Sequence, residues 1–446
     1  MCGIIASTAT KSIPVDLLAH RGIRQGATLD DGYAVVHVRL PIVGLGGEYD
    51  QPVTEGPWVI AFVGEVLDFR DHDPGAECDL QVVVDAWTND GPCGLSQRDG
   101  FWSVVAVDTR DFSLHLLCDY LAQKPLYYRV DVRAACSELD AIAAMDKVTP
   151  DEIYFASVIK WGYCPQVDRT PYREVKKVRP GEHVVLHRRG RVDREIVDRL
   201  APRGGDLREE IERAVRRRVV ASDVPVACLV SGGLDSSIVY TLARKYGDVI
   251  PYYAFDVARP DLAERARLER VVSEPFVEID WKTVDLARAL RYMQEPVDLG
   301  SLIPQVALSD QVRERVCLTG DGADELFGGY GRALRYDSQA SDVWHELVMW
   351  HLPRLDRVMM RNRVEVRSPF LARRVAEIAL GLPWPRRSNK KILRDLFRDV
   401  LPESVADGPK VPLRTSRATS DREGQSIELV RMFRDRVWDR GLRVVA

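Results

Sequence analysis

Residues 226–230, Val-Ala-Cys-Leu-Val, run directly into Ser231-Gly232-Gly233-Leu234-Asp235-Ser236-Ser237, and no other stretch constrains the chain as tightly. Five consecutive apolar residues predict a short strand buried on both faces. A two-glycine turn follows, and the spacing then predicts a helix over residues 238–246, stopped at Gly247. Glycines let the backbone approach a ligand closely, and the first N–H groups of a helix, aligned with its dipole, attract an anion. The expected ligand is therefore a phosphate. No Gly-Lys-Ser/Thr follows, so this is not a Walker A loop. A carboxylate inside the loop, Asp235, suits a metal ion held against the phosphates.

A second stretch has the same grammar. Val316-Cys317-Leu318 reads as another buried strand and delivers Thr319-Gly320-Asp321-Gly322-Ala323-Asp324-Glu325-Leu326-Phe327-Gly328-Gly329-Tyr330. Acids interleaved with glycines after a strand suit Mg²⁺, which takes oxygen ligands. Residues 249–256 predict a further parallel strand, and Leu207 to Val220 an amphipathic helix. Strands alternating with helices imply an α/β doubly wound parallel sheet whose ligand lies beyond the strand C-termini.

The chain has 446 residues, enough for two or three domains. Ala201-Pro202-Arg203-Gly204-Gly205 interrupts the pattern and is expected to be a linker. A net charge of -4 gives no general attraction to nucleic acid or anionic membrane. Arg213 and Arg216-Arg217-Arg218 are expected on a solvated helix face. No apolar run reaches the length of a membrane span, and no signal peptide is expected. The eight cysteines contain no C-x-x-C pair, which argues against zinc and for a reduced, cytoplasmic protein.

Cys2 is the cysteine set apart by position. Removal of Met1 would place its thiol beside a free α-amine, a nucleophile and a base on one residue. Position alone does not distinguish this from a small buried residue in a first strand.

Longer stretches do. Ser231 to Ser237 resembles the pyrophosphate loop of ATP pyrophosphatases. His20-Arg21-Gly22, Arg39-Leu40-Pro41-Ile42-Val43, Gln51-Pro52, Gly64-Glu65, Gly100 to Asp108, Asp119 to Tyr128 and Ser137-Glu138-Leu139 resemble the class II glutamine amidotransferase domain. That resemblance implies an α+β N-terminal-nucleophile fold, an αββα sandwich, over residues 1–197. With Thr319 to Tyr330, Leu355-Asp356-Arg357, Glu365 to Leu371, Asn389-Lys390-Lys391 and Lys410, the whole resembles the glutamine-hydrolysing asparagine synthetases. The second domain is then an ATP-pyrophosphatase domain over residues 206–446.

The resemblance implies roles by position. Cys2 would attack the amide of glutamine, with Arg39 on its carboxylate and Gly64, Glu65 and Glu77 completing the pocket. Val230, Ser231, Gly232, Gly233, Asp235, Ser236, Ser237, Phe255, Thr319 and Gly320 would bind ATP. Asp235 and Asp324 would hold Mg²⁺, Asp321 would guide ammonia, and Lys390 would stabilise charge in the transition states. ATP and Mg²⁺ are the implied cofactors. The implied partners are small-molecule substrates and a second copy in a homodimer. Two positions depart from the pattern. Val63 stands where the family has an asparagine that donates to the oxyanion, and Glu77 stands where it has aspartate. A missing oxyanion donor typically costs about 10²–10³ in rate, so a weakened glutaminase is expected. Keeping ammonia unprotonated also implies a largely apolar seam between the domains.

Rival readings keep part of this chemistry. The acceptor could be another carboxylate in a metabolite or peptide, or a ring could be closed as in β-lactam synthetases and lasso-peptide cyclases. Those usually lack the N-terminal cysteine. The 7-cyano-7-deazaguanine synthases need a cysteine-rich zinc cluster, which this sequence does not have. A non-catalytic regulator that binds ATP or glutamine is the remaining alternative, opposed by the presence of Asp235, Asp324 and Lys390.

Overall fold

The computed structural model describes residues 2–10, 12–255, 262–280, 284–296, 299–330, 346–409 and 422–434. Lys410 lies outside the described residues.

The N-terminal half is built on twelve strands: β1 (Gly3–Ser7), β2 (Arg24–Leu29), β3 (Ala34–Arg39), β4 (Val53–Glu55), β5 (Trp58–Val66), β6 (Gly100–Asp108), β7 (Ser113–Cys118), β8 (Tyr127–Arg129), β9 (Ala134–Cys136), β10 (Lys176–Lys177), β11 (Glu182–Leu186) and β12 (Val192–Ile196). They form two six-stranded antiparallel sheets, ordered β10-β8-β9-β1-β3-β2 and β12-β11-β7-β6-β5-β4. β1 lies inside the first sheet, with Gly3 opposite Val38 on β3 and Ile5 opposite Cys136 on β9. β5 and β6 are buried on both faces almost end to end, so they show no polar alternation. The helix Leu80–Asp90 packs Trp87 into the same core as β5, and β1 contributes Ile4 and Ala6 to it.

In the second sheet His115 on β7 and His183 on β11 stack 5.2 Å apart, with Nδ1 and Nε2 at 3.1 Å, beside Trp87. Burial holds both imidazoles down at about 4. Each is neutral in the fold, whereas an unfolded histidine titrates near 6.5. Their contribution is therefore complete above about pH 6.5 and is lost as pH falls from there towards 4. Unfolding free energies at pH 7 and pH 5 should show His115→Gln/His183→Gln losing less than the parent chain. The expected difference is on the order of 2 kcal/mol per ring, and equal losses would contradict it.

The C-terminal half has one parallel sheet of β13 (Val226–Leu229), β14 (Val249–Phe255), β15 (Val277–Asp280), β16 (Val316–Leu318) and β17 (Glu365–Arg367), ordered β15-β14-β13-β16-β17. The order runs backward from β13 to β15 and forward through β16 and β17. The order therefore reverses between β13 and β16, the point where an open parallel sheet of this kind commonly takes a ligand. The helix Leu207–Val220 begins at Asp206, whose carboxylate accepts from the Glu209 N–H. It buries Leu207, Ile211, Ala214, Val215, Arg218 and Val219, a stripe at helical spacing.

That helix corrects one expectation. Arg213 is exposed and paired with Glu209 and Glu210, as a solvated face requires. Arg218 is fully buried and reaches Asp99 of the N-terminal half at 3.5 Å, while Arg217 bonds Asp71 and Asp99. The basic run thus turns from solvent into the border between the halves within one helical turn.

That border is apolar where Tyr120 and Leu121 share a cluster with Leu308 and Leu371, and where Tyr154, Phe155 and Val158 share one with Met293, Leu302 and Val306. It also buries an ionic group. Arg21 donates to Glu138 Oε1 at 2.5 Å and to Asp356 Oδ2 at 2.9 Å, and its Nε donates to the Cys2 carbonyl at 2.8 Å. Lys124 reaches Asp356 Oδ1 at 3.3 Å, and the Gln294 amide donates to Glu138. Beside them Glu295 is held by Arg357 at 2.7 Å and Lys177 at 2.8 Å. Every one of these groups is buried except Lys177, which is half-buried. Burying charge is tolerable only when partners and hydrogen bonds replace the lost water, and here each acid has at least two donors.

Candidate functional site

The two glycine-containing loops meet at the C-terminal ends of adjacent strands. β13 leads through Val230, whose N–H donates to the Tyr252 carbonyl at 2.9 Å, into Ser231-Gly232-Gly233. The helix that follows spans Leu234–Ala243. It starts four residues earlier than the periodicity suggests, so Asp235 sits in its first turn. Gly232 adopts φ +74°, and a Cβ there would meet the Leu268 N at 2.6 Å, which explains why only glycine serves. The Ser231 N–H donates to Ser236 Oγ at 3.1 Å and the Gly233 N–H to Ser231 Oγ at 3.3 Å, so the loop holds its own shape. Ser237 is fully buried.

β16 leads into Thr319, whose N–H donates to the Arg367 carbonyl at 3.1 Å and whose hydroxyl lies 3.1 Å from Ser368 Oγ. A Cβ on Gly320 would sit 2.9 Å from Asp235 Cβ and 3.0 Å from the Ser236 N. The second loop therefore lies directly on the first. Phe255 ends β14 opposite Asp280, on the strand next to β13.

The third component comes from a remote segment. Asn389 and Lys390 both adopt the left-handed region, at φ +55° and +57°. For a lysine this backbone costs of order 1–3 kcal/mol and persists only where the surroundings impose it. Here it delivers Lys390 Nζ, 5% exposed, between two carboxylates: hydrogen-bonded to Asp235 Oδ2 and 2.5 Å from Asp324 Oδ1. Burial alone would depress the ammonium, but Asp235 and Asp324 outweigh it and raise its pKa above the ordinary lysine value. Asp321, at the start of the same turn, is partly buried. Glu325, a third acid of this turn, is buried next to Asp324. Burial and the Asp324 charge push it up to about 7, against a 2.8 Å hydrogen bond from Tyr330.

The residues expected at the N-terminal site fall into two groups in the fold, buried around Cys2 and Glu65 and exposed at Glu77. Cys2 is buried at the start of β1. Burial pushes its thiol up, opposed by the Leu40 N–H and by Arg39, while the Glu65 charge adds to the rise. Arg39 ends β3, and its guanidinium gathers the carbonyls of Val43, Gly44 and Gly46 together with Asp50. Val63 is buried on β5 opposite Ser103. Gly64 next to it has φ +113°, and a Cβ would collide with the Phe101 carbonyl. Glu65 is buried and 3.9 Å from Arg367 of the other half. Its pKa is well above the carboxylate range, first from burial and then from Asp79 and Glu365. Glu77 is not part of this cluster. It is exposed and accepts from the Tyr49 hydroxyl at 2.5 Å. The acid beside Glu65 is Asp79, two residues on, which accepts from the Val66 N–H at 2.8 Å. Its only signal in the sequence is the position two residues after Glu77.

Against known families, residues 206–348 and 339–436 match the asparagine synthase model and residues 1–196 the glutamine amidotransferase domain model. The chain belongs to the asparagine synthase family. It is, with that family, a ligase. It is 24% identical to the Escherichia coli asparagine synthetase B [glutamine-hydrolyzing], over 87% of this chain and 76% of that protein. It is 25% identical to the Zea mays asparagine synthetase [glutamine-hydrolyzing], over 90% and 74% respectively. The human asparagine synthetase [glutamine-hydrolyzing] is 25% identical over 71% of this chain and 63% of its own length. Family membership implies the use of ATP, and no helix among the described residues is long and apolar enough to cross a membrane.

Proposed function

We propose that the chain converts the side-chain carboxylate of aspartate to the amide of asparagine, using ATP to form an acyl-adenylate and glutamine as the ammonia source. AMP and pyrophosphate leave. Residues 1–197 carry the glutaminase, on an N-terminal-nucleophile sandwich, and residues 206–446 the synthetase, on a doubly wound sheet. A cytoplasmic homodimer belongs to the same reading. The observation that carries it is Lys390 set between Asp235 and Asp324, on three segments far apart in sequence and beside a two-glycine loop.

The residues divide the work as follows. The first turn of the helix after Gly233, from Leu234 to Ser236, would take the phosphates, since a helix N-terminus after a glycine turn favours an anion. Asp235 and Asp324 would hold Mg²⁺. The fit rests on two carboxylates that already converge on one cation, Lys390 Nζ. Mg²⁺ commonly takes one or two carboxylates and leaves its other positions to phosphate and water. When bound it neutralises charge on the phosphates. Lys390 adds a fixed point charge there, and Asp321 stands at the mouth of the same turn to receive ammonia. At the other end Cys2 attacks the glutamine amide, with Arg39 on the substrate carboxylate and Glu65 beside it. Glu77, outside that buried cluster, lines the neighbouring cavity and would meet the substrate's α-amine.

Pyrophosphate release across a panel of carboxylates, each with glutamine or ammonium, tests acceptor and donor together. Release with aspartate above all others is expected, and release only with another carboxylate would replace aspartate in this reading. Because Val63 has no donor, ammonium should be the better nitrogen source. Val63→Asn should raise glutamine-dependent turnover by about tenfold or more while leaving ammonium-dependent turnover in place. An unchanged ratio of the two would remove Val63 from the oxyanion site.

A further inference from the structure

A cavity of about 450 Å³ opens beside the N-terminal site, walled by Gly44, Leu45 and Gly46, by Tyr49, by Glu77, and by Asp223 from the other half of the chain. Glu48 and Arg70 complete its charged rim, giving three acids to one base. A cavity with that balance favours a ligand with an exposed cationic group, such as the ammonium end of an amino acid. Its walls are fixed from several directions. Arg39 gathers the carbonyls of Val43, Gly44 and Gly46, and Asp223 Oδ2 accepts from the Gly44 N–H at 2.8 Å.

Tyr49 joins the two residues on which amino-acid recognition would depend. Its hydroxyl donates to Glu77 Oε2 at 2.5 Å, and its ring lies 5.8 Å from the Arg39 guanidinium carbon. The ring also lies against Gly44, at φ +60°, where a Cβ would meet it at 2.7 Å. Glu77 is otherwise an exposed side chain one methylene longer than aspartate, and an exposed glutamate has many rotamers. A neutral donor at its tip selects one of them without cancelling its charge. Hydrogen bonding to Glu77 pushes the Tyr49 phenol up to about 12, so it keeps its proton throughout the neutral range.

We propose that Tyr49 is a positioning residue for the amide donor: it holds Glu77 over this cavity so that the carboxylate meets the donor's α-ammonium group. The inference rests on the reading of Glu77 as a donor-binding residue. Glutamine is titrated calorimetrically into the full-length chain carrying Cys2→Ala, so that binding is read without turnover. Glu77→Gln should weaken binding. Tyr49→Phe should weaken it by about tenfold, and the double variant should be no worse than Glu77→Gln alone. Glu77→Asp, which breaks the same hydrogen bond from its other end, should weaken binding when Tyr49 is present and be neutral in the Tyr49→Phe background. Thermal melts report folding independently, and if Tyr49→Phe does not fold, Glu77→Asp alone decides. If Glu77→Gln weakens binding while Tyr49→Phe or Glu77→Asp leaves it unchanged, the role of Tyr49 falls and that of Glu77 stands. If Glu77→Gln has no effect, or the parent binds no glutamine, both fall together.

Discussion

Lys390→Ala should lower pyrophosphate release by about 10²–10³ or more, the scale on which a preorganised charge at a reacting phosphate acts. The reason is geometric. Lys390 Nζ is held by Asp235 and by Asp324, and the strained backbone at 389–390 is what places it there. Alanine removes the cation that both acids share, so less positive charge offsets the repulsion between the two carboxylates. The variant should therefore melt at a lower temperature without metal and gain more from added Mg²⁺ than the parent does. Calorimetry with and without Mg²⁺, alongside the pyrophosphate assay, checks both halves. Full release by the variant would remove Lys390 from the site, and an equal response to Mg²⁺ would remove the acid pair as its holder.

Arg21→Ala should destabilise the chain by about 3–5 kcal/mol, the loss that follows when one member of a buried ionic group is deleted and its partners remain. Glu138 and Asp356, each 1% exposed at the side chain, would lose a guanidinium. Although burial works against it, Arg21 holds the Glu138 carboxyl far below the usual carboxylate range. The same change frees the Cys2 carbonyl, so the glutamine-dependent reaction should fall further than the ammonium-dependent one. Lysine at this position keeps the charge but not the fork that reaches both acids and the carbonyl, and should recover only part of the loss. Denaturant unfolding, with both nitrogen sources assayed, is the measurement. A loss below about 1 kcal/mol, the range of exposed ion pairs, would show that the network is not a structural tie between the halves.

Wherever neighbours in sequence are neighbours in space, the amino-acid order was sufficient. The strand at 226–229 comes from a run of apolar residues, and the helix Leu207–Val220 from an apolar stripe behind an Asp206 cap. Gly232 and Gly64 are needed for conformations that a Cβ would block. These are short-range steric and solvation effects, and they appear directly in the spacing of residue types. The helix after Gly233 starts ahead of its apolar periodicity, because Leu234 to Ser237 close the glycine turn and form the first helical turn at once.

Relations between distant segments were decided only by tertiary structure. His20-Arg21-Gly22, Ser137-Glu138-Leu139 and Leu355-Asp356-Arg357 stand out as motifs, yet no local rule says that they are one ionic group, since Arg21 and Asp356 are 335 residues apart. The buried ionic group in a seam that is otherwise apolar in part followed from that. A buried arginine requires partners, and only packing reveals which ones it has. Arg218 turned inward for the same reason, while Arg213 on the same helix stayed in solvent. Glu77 and Asp79 are both acids in one short segment, but chain direction at the start of a helix sends Asp79 inward to Glu65 and Glu77 outward to Tyr49. The chemistry of each side chain was legible from its type. Which cation meets which carboxylate was settled by the fold, because electrostatic partnership depends on distance and dielectric rather than on order along the chain.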